Sequence, residues 1–416
     1  QQFLKIKEDN GMANNTAGSL PIFLSWAGKR VSIGEVDSTL SSLWKMSADN
    51  MRIGANLNVR TSVMNLIICT SDVESARYAS QLLRDLSSIH LARATIVILD
   101  SSEGALDTMD SWVTLRCYSM ISDLMRHCFE QTTLLSSGKT TRALHTTLPA
   151  MLKAHLPTYL WWIGDIQGTD DTIFRGVAEM CQRVIVDSAT FFSPEQDIHA
   201  LAHYCKTTPE AALSDLSWGR LIPWQQLVAQ FFDVPEYLPF LTGVEKIEIE
   251  HAVAPLASPS KDKDGGVSPN PTSALLLSGW LKARLNLTQA HERAQDQRDT
   301  ASGTYQWHMS QSSGNTSPII QIRPHVQSAL RPGSITLVRL TCQSAERRAV
   351  FTIKRDTDLD YVLTSVELAD DTRPARTVNL PARYNESELL RNELEIMVHD
   401  HTFEQALQEI AGLLTG

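Results

Sequence analysis

The sequence predicts an α/β N-terminal domain with a mostly parallel sheet, followed by an α+β C-terminal domain, and three observations carry that prediction. The first half alternates short, apolar, β-branched runs with stretches of helical period, which is the βαβ signature. The second half holds strands at regular spacing with turn residues between them, as an antiparallel sheet does, and closes in two amphipathic helices. At 416 residues the chain exceeds one ordinary core, and at roughly 100–200 residues per domain about two are expected. The expected division is a loose leader over 1–25, the α/β domain over 26–207 and the α+β domain over 208–416, with a flexible segment at about 255–273.

Each element has its own signal. Residues 1–19 contain Asn-Gly and Asn-Asn steps and few apolar positions, so they read as leader. Val36, Leu40, Leu43 and Trp44 recur at helical spacing. Val63–Cys69 is a continuous apolar run and hence a buried strand; Asp72 is placed to cap a helix running to about Leu86, and Ala94–Leu99 is the next strand. Strands follow at Val113–Cys117 and Gln131–Leu135, then a helix ending near His155. Thr158–Ile163 is a strand, Thr172–Met180 a helix, and Arg183–Asp187 a strand closing in a Ser-Ala turn. Such alternation favours a parallel sheet covered by helices, with ligand sites at the polar turns beyond its strand ends.

Beyond these, Trp218–Phe232 is helical up to Asp233-Val234-Pro235, and Pro223 is a residue that can also start a helix. Val244–Ile249 alternates as a strand, and Pro255–Ser273, rich in Pro, Ser, Lys, Asp and Gly, reads as a mobile connection. Ala274–Leu287 is an apolar-faced helix; strands are expected near Pro318–Arg323, Ser334–Cys342, Ala349–Arg355 and Tyr361–Leu368, and helices at Glu386–Val398 and Phe403–Leu414.

Composition narrows the function. A net charge of -10 argues against a general nucleic-acid binder, which needs a basic footprint to displace counterions. No apolar run reaches the ~18–20 residues that cross a bilayer, and Leu20–Leu24 is too short for a secretory core, so a cytoplasmic protein is expected. Six scattered cysteines without C-x-x-C spacing read as reduced, mostly buried thiols, with a redox switch between distant cysteines as the other possibility.

Catalytic motifs are thin. Ser136-Ser137-Gly138-Lys139-Thr140-Thr141 ends like a phosphate loop, but Thr133 stands where the first glycine belongs, so a polar turn is the plainer reading. His199 and His203 share one helical face near Cys205, yet no glutamate lies between them and no third ligand is evident; packed or solvated histidines explain them, and the same holds for His399 and His401. Asp170-Asp171 and Asp370-Asp371 sit in turns, where capping and solvation account for them. Neither Gly-x-Ser-x-Gly nor Gly-x-Gly-x-x-Gly occurs. No enzyme activity, cofactor or metal is expected.

Four of the nine tryptophans fall in two short windows, Leu160-Trp161-Trp162-Ile163-Gly164-Asp165 and Asp215-Leu216-Ser217-Trp218-Gly219-Arg220-Leu221-Ile222-Pro223-Trp224. Such clusters mark a dense core or a recognition surface. One of Trp161 and Trp162 is expected in the core, since strand neighbours face opposite sides. Together with Arg183-Val184-Ile185-Val186-Asp187-Ser188-Ala189, Leu227–Asp233 and Leu277-Ser278-Gly279-Trp280-Leu281-Lys282-Ala283-Arg284-Leu285, in this order, these segments resemble the glucose-6-phosphate dehydrogenase assembly protein family, OpcA. The similarity extends over about residues 26–416.

The resemblance implies a non-catalytic protein that binds glucose-6-phosphate dehydrogenase, favours its active oligomer and supports NADPH supply by the oxidative pentose phosphate pathway. Partner contacts are expected at Trp162, Asp165, Arg220, Trp224, Trp280 and Arg284. Two departures stand out: Gln225 where an arginine is common and Ser217 where asparagine is common. Cyanobacterial members are thought to be switched by thioredoxin through a disulfide, but the C-terminal half here holds only Cys342 beyond Cys205, so no close pair supports that switch. The competing reading is a nucleotide- or sugar-phosphate-binding α/β protein or enzyme.

Overall fold

A computed structural model of the chain describes residues 24–49, 57–59, 62–86, 92–102, 104–119, 125–166, 171–254, 269–290, 296–311, 317–345, 347–369, 371–396 and 398–415. Nearly all of the expected leader and most of the segment expected to be flexible at 255–273 lie outside these residues. The end of that segment is packed: Asn270 and Thr272 are buried, and a helix starts at Thr272.

The first sheet comprises β1 (Lys29–Val31), β2 (Leu57–Val59), β3 (Met64–Thr70), β4 (Ala92–Asp100), β5 (Thr108–Ser119), β6 (Met125–Ser137), β7 (Thr158–Ile163), β8 (Arg183–Val186) and β9 (Ala212–Asp215). The helices are α1 (Val36–Asp49), α2 (Val73–Leu86), α3 (Leu144–Thr147), α4 (Asp171–Ala178), α5 (Pro194–Thr207), α6 (Leu216–Phe232), α7 (Thr272–Arg284), α8 (Glu386–Glu395) and α9 (His401–Leu414). Six strands run parallel in the order β6-β4-β3-β7-β8-β9; β5 is antiparallel to β6, β1 is antiparallel to β5, and β2 is parallel to β6. In chain order those six are the third, second, first, fourth, fifth and sixth, the doubly wound arrangement whose ligand crevice lies at the strand ends between first and fourth. The sheet's last strand, β9, lies beyond residue 207, where the sequence suggests the joint between the halves.

Both faces of this sheet are covered, which decides the fate of both tryptophans in the first window. Trp161 joins the cluster formed with α2 and α8, whereas Trp162 packs on the opposite face, its ring 5.2 Å from that of Phe174. One core tryptophan is expected there; the structure buries two, at 3% and 2% exposure. The helix expected to end near His155 is also revised. Residues 138–151 form two 3-10 turns around the single turn of α3, because Pro149 contributes no N–H to a longer ladder. Conversely, α6 runs unbroken through Pro223.

The second sheet comprises β10 (Val244–Val253), β11 (Leu287–Gln289), β12 (Gln297–Asp299), β13 (Thr304–Gln311), β14 (Ile319–Val326), β15 (Ile335–Ser344), β16 (Arg347–Arg355), β17 (Tyr361–Leu368), β18 (Asp371–Thr372) and β19 (Arg376–Asn379). Its order is β11-β13-β14-β10-β15-β16-β17-β18, with β12 on β13 and β19 on β17. It is antiparallel as expected except between β10 and β14, which are parallel. Helix α7 packs between this sheet and α9, and one hydrophobic cluster runs from the first sheet through α6 and α7 into the second.

The cysteines depart from expectation at one place. Cys117 on β5 lies directly opposite Cys128 on β6, Cα atoms 4.1 Å apart, and the two form a disulfide. Their separation of 11 residues hides the contact until the hairpin aligns them. Cys69, Cys181, Cys205 and Cys342 are free.

Candidate functional site

At the switch point between β3 and β7 lies a crevice of about 220 Å³, lined by Thr70, Ser71, Leu99, Trp162, Ile163, Gly164, Asp165 and Phe192. In a dinucleotide site the turn leaving β3 would be glycine-rich and offer free amides at the next helix. Here it reads Thr70-Ser71-Asp72-Val73, and the Asp72 carboxylate accepts the Ser75 amide at 2.7 Å, so the helix end carries its own anion. The Gly138-Lys139-Thr140 turn is similarly filled. The Lys139 amide donates to Asp107 Oδ1 at 2.7 Å, and a Cβ on Gly138 would meet that same oxygen at 2.5 Å.

The larger cleft, about 610 Å³, opens where the C-terminal ends of β8 and β9 face the second half of the chain. Tyr78 of α2, Arg220 and Trp224 of α6, Asn270, the 328–335 loop, Arg355 at the end of β16, and Arg383, Tyr384 and Glu386 line it. Asp187, just past β8, accepts Arg220 Nη1 at 2.6 Å and Nη2 at 3.0 Å. Arg331 lies 3.6 Å from Asp187 and donates to Glu386 at 2.9 Å; Tyr78 also donates to Glu386. Burial pushes Asp187 up, but Arg220 and Arg331 outweigh it and hold the carboxyl below its ordinary range.

Asp215 lies behind this pair and behaves differently. It caps α6 through the Ser217 amide and accepts both the amide and the hydroxyl of Ser188. Burial still dominates and, with Asp187 nearby, raises its pKa to about 6. Two of the family-like segments therefore interlock, Asp187 with Arg220 and Ser188 with Asp215. Trp218 extends the lock: its indole donates to Asp400 at 2.8 Å, and Asp400 caps α9 through Thr402 and Phe403.

The six residues expected at a partner contact are not brought together. Trp162 and Asp165 belong to the switch-point crevice, where the Trp162 indole donates to the Asp165 carbonyl at 3.1 Å. Arg220 and Trp224 line the larger cleft. Trp280 and Arg284 line an apolar crevice of about 380 Å³ between α6 and α7. Trp162 and Trp224 are each 2% exposed, so neither indole is available at the surface: Trp162 lies on a covered sheet face and Trp224 on the buried side of α6. Arg284 is exposed and Trp280 half-buried. The carboxylate and arginine network escaped sequence reading because its members, from Asp187 and Arg220 to Asp187 and Glu386, lie 33 to 199 positions apart. His199 is half-buried and His203 exposed, and no cluster of three or more His, Cys, Asp or Glu suited to a metal occurs among the described residues. No described helix is long and apolar enough to cross a membrane.

Such a chain is an α/β protein of dinucleotide-type sheet order, without the glycine turn, locked to a mixed-sheet second half. Residues 84–203 match the family model for the glucose-6-phosphate dehydrogenase subunit N-terminal domain, and residues 211–407 match that for its C-terminal domain. The chain belongs to the OpcA family of glucose-6-phosphate dehydrogenase assembly proteins. It is 30% identical over 188 residues to a protein provisionally named OxPP cycle protein OpcA of Nostoc punctiforme, covering 41% of this chain and 36% of that one. Its counterpart in Synechocystis sp. is 30% identical over 161 residues, covering 39% and 30%. The matched stretch thus spans about a third of these relatives' length. Among solved structures, levoglucosan dehydrogenase with NADH aligns at TM-score 0.44 and 10% identity, covering 86% of this chain and 95% of that one. A 3-ketoreductase from Actinomadura kijaniata aligns at 0.43 and 10%, covering 85% and 96%.

Proposed function

We propose that the chain is a non-catalytic activator and assembly factor that binds glucose-6-phosphate dehydrogenase, favours its active oligomer and so supports NADPH production by the oxidative pentose phosphate pathway in the cytoplasm. What supports the choice of partner is the name of the family to which the chain belongs. The observation that carries the non-catalytic part is the turn after β3, where Asp72 caps the helix in place of a glycine cradle. Activation of this kind needs no reacting side chain. A partner that binds the active conformation ~1.4 kcal/mol more tightly than the inactive one shifts the equilibrium tenfold.

Of the six expected contact residues, we propose Arg284, exposed, and Trp280, half-buried, at the crevice between α6 and α7, as direct partner contacts. Asp165, at the rim of the switch-point crevice, is a second place of contact. The test is the activity of the same organism's dehydrogenase at limiting glucose 6-phosphate, with and without the purified chain, alongside sizing of the mixture. A complex with raised activity is expected; no complex and no change in activity overturns the proposal.

A further inference from the structure

Four arginines line the larger cleft, and only two of them are neutralised. Arg220 and Arg331 share Asp187 and Glu386. Arg355 is 8% exposed, and among the described residues no carboxylate pairs with it. Its Nη1 donates to the Leu359 and Leu380 carbonyls, its guanidinium lies 5.2 Å over the Trp224 ring, and its Nε is buried without a hydrogen-bond partner. Arg383 is exposed and likewise has no ion pair or hydrogen bond among the described residues. A buried guanidinium with no carboxylate at ion-pair distance is costly, and burial lowers the Arg355 pKa more than Tyr384 and Asp360 raise it. An incoming anion relieves that cost.

The rest of the lining describes the rest of the ligand. Ser273, Ser328 and Ser334 offer hydroxyls and Asn385 its amide N–H groups, whereas Asn270 is already bonded to Ser188, Phe191 and Thr272 and only shapes the wall; about 610 Å³ lies within the range of small-molecule sites. Two unpaired guanidiniums suit a dianion better than a lone carboxylate, and their planar forks match phosphate oxygens. We propose that this cleft binds a small phosphomonoester with a hydroxylated body, its phosphate held by Arg355 and Arg383 and its hydroxyls by Ser273, Ser328, Ser334 and the Asn385 amide. The site belongs to the chain itself and does not depend on the dehydrogenase reading.

The test uses the full chain alone, by calorimetric titration and thermal melting at matched ionic strength, with inorganic phosphate, a hexose phosphate, the unphosphorylated hexose and a dicarboxylate. Saturable binding of the hexose phosphate, weaker binding of phosphate and none of the free hexose are expected. Arg383→Gln, at an exposed side chain, should melt like the parent without ligand yet bind about tenfold more weakly, as loss of a charged hydrogen-bonding partner does. Arg355→Lys should also weaken binding. No binding at millimolar concentration, preference for the dicarboxylate, or affinity unchanged in Arg383→Gln with Arg355→Lys overturns the proposal.

Discussion

Arg220 holds Asp187 by two parallel guanidinium bonds of 2.6 and 3.0 Å, tying the first turns of α6 to the end of β8. Both side chains are largely buried, at 12% and 6% exposure. Removing either partner leaves the other charge without compensation, so Arg220→Ala and Asp187→Ala should each cost roughly 3 kcal/mol. The double variant should cost less than the sum of the two. Urea unfolding of the four proteins measures this; strict additivity would show that the pair is not coupled.

The neighbouring Asp215 gives stability an unusual pH dependence. Its folded carboxyl keeps a proton up to about pH 6, whereas an unfolded aspartate loses it near ~3.9. Between those values the folded state binds more protons, so this residue makes stability fall as pH rises and leaves it lower above pH 6. Asp187 has the opposite sign: its contribution is present above ~pH 4 and is lost as pH falls through its depressed folded value. Asp215→Asn retains a capping oxygen for Ser217 and removes the titration. Melting temperatures should therefore move in the variant's favour as pH rises from 4 to 6; a constant difference across that range contradicts the assignment.

Glycines on facing helices should respond in opposite directions. A Cβ at Gly279 would meet the Ala406 carbonyl oxygen at 2.2 Å, whereas one at Gly412 meets nothing within 4 Å. Gly279→Ala should destabilise by roughly 1–3 kcal/mol through overpacking, despite better helix propensity. Gly412→Ala should gain about 0.5 kcal/mol from propensity. Chemical denaturation separates the two, and stabilisation by Gly279→Ala would mean that α7 and α9 are not so close.

Much of the first sheet was legible because each parallel strand is a short apolar run: β7 occupies Thr158–Ile163 as predicted, and Asp72 caps α2. Strand β9 was not, since Ala212–Asp215 is too short to show a period. The tryptophan windows identify the family because their residues are fasteners between segments distant in sequence. Trp218 holds the cap of α9 and Trp224 stacks under Arg355, contacts 182 and 131 positions apart that no linear pattern reveals.

The Cys117–Cys128 bridge closes a short hairpin loop, and chain entropy assigns such a loop roughly 3 kcal/mol. Reductant, or Cys117→Ser with Cys128→Ser, should lower the melting temperature accordingly. The other four thiols should remain slow to alkylate. Burial raises the pKa of Cys69 and pushes Cys181, Cys205 and Cys342 up to about 12. Intact-mass analysis after iodoacetamide should find adducts only once the bridge is reduced, at the exposed Cys117 first. Rapid labelling of the unreduced protein would contradict this account.

The turn after β3 predicts indifference to dinucleotides. A pyrophosphate approaching the start of α2 would meet Asp72 and, in the first turn, Glu74. At ~4 Å and an effective dielectric near 20, one such repulsion is about 4 kcal/mol, enough to cancel what a helix N-terminus offers. Thr70 and Ser71 also replace the small, open backbone that close approach to phosphate requires. Titration of the chain with NADPH, followed by nicotinamide fluorescence, should therefore remain flat at concentrations that saturate dehydrogenases. Saturable enhancement, abolished by a bulky substitution at Ser71, would restore the enzyme reading and place its cofactor at the switch point.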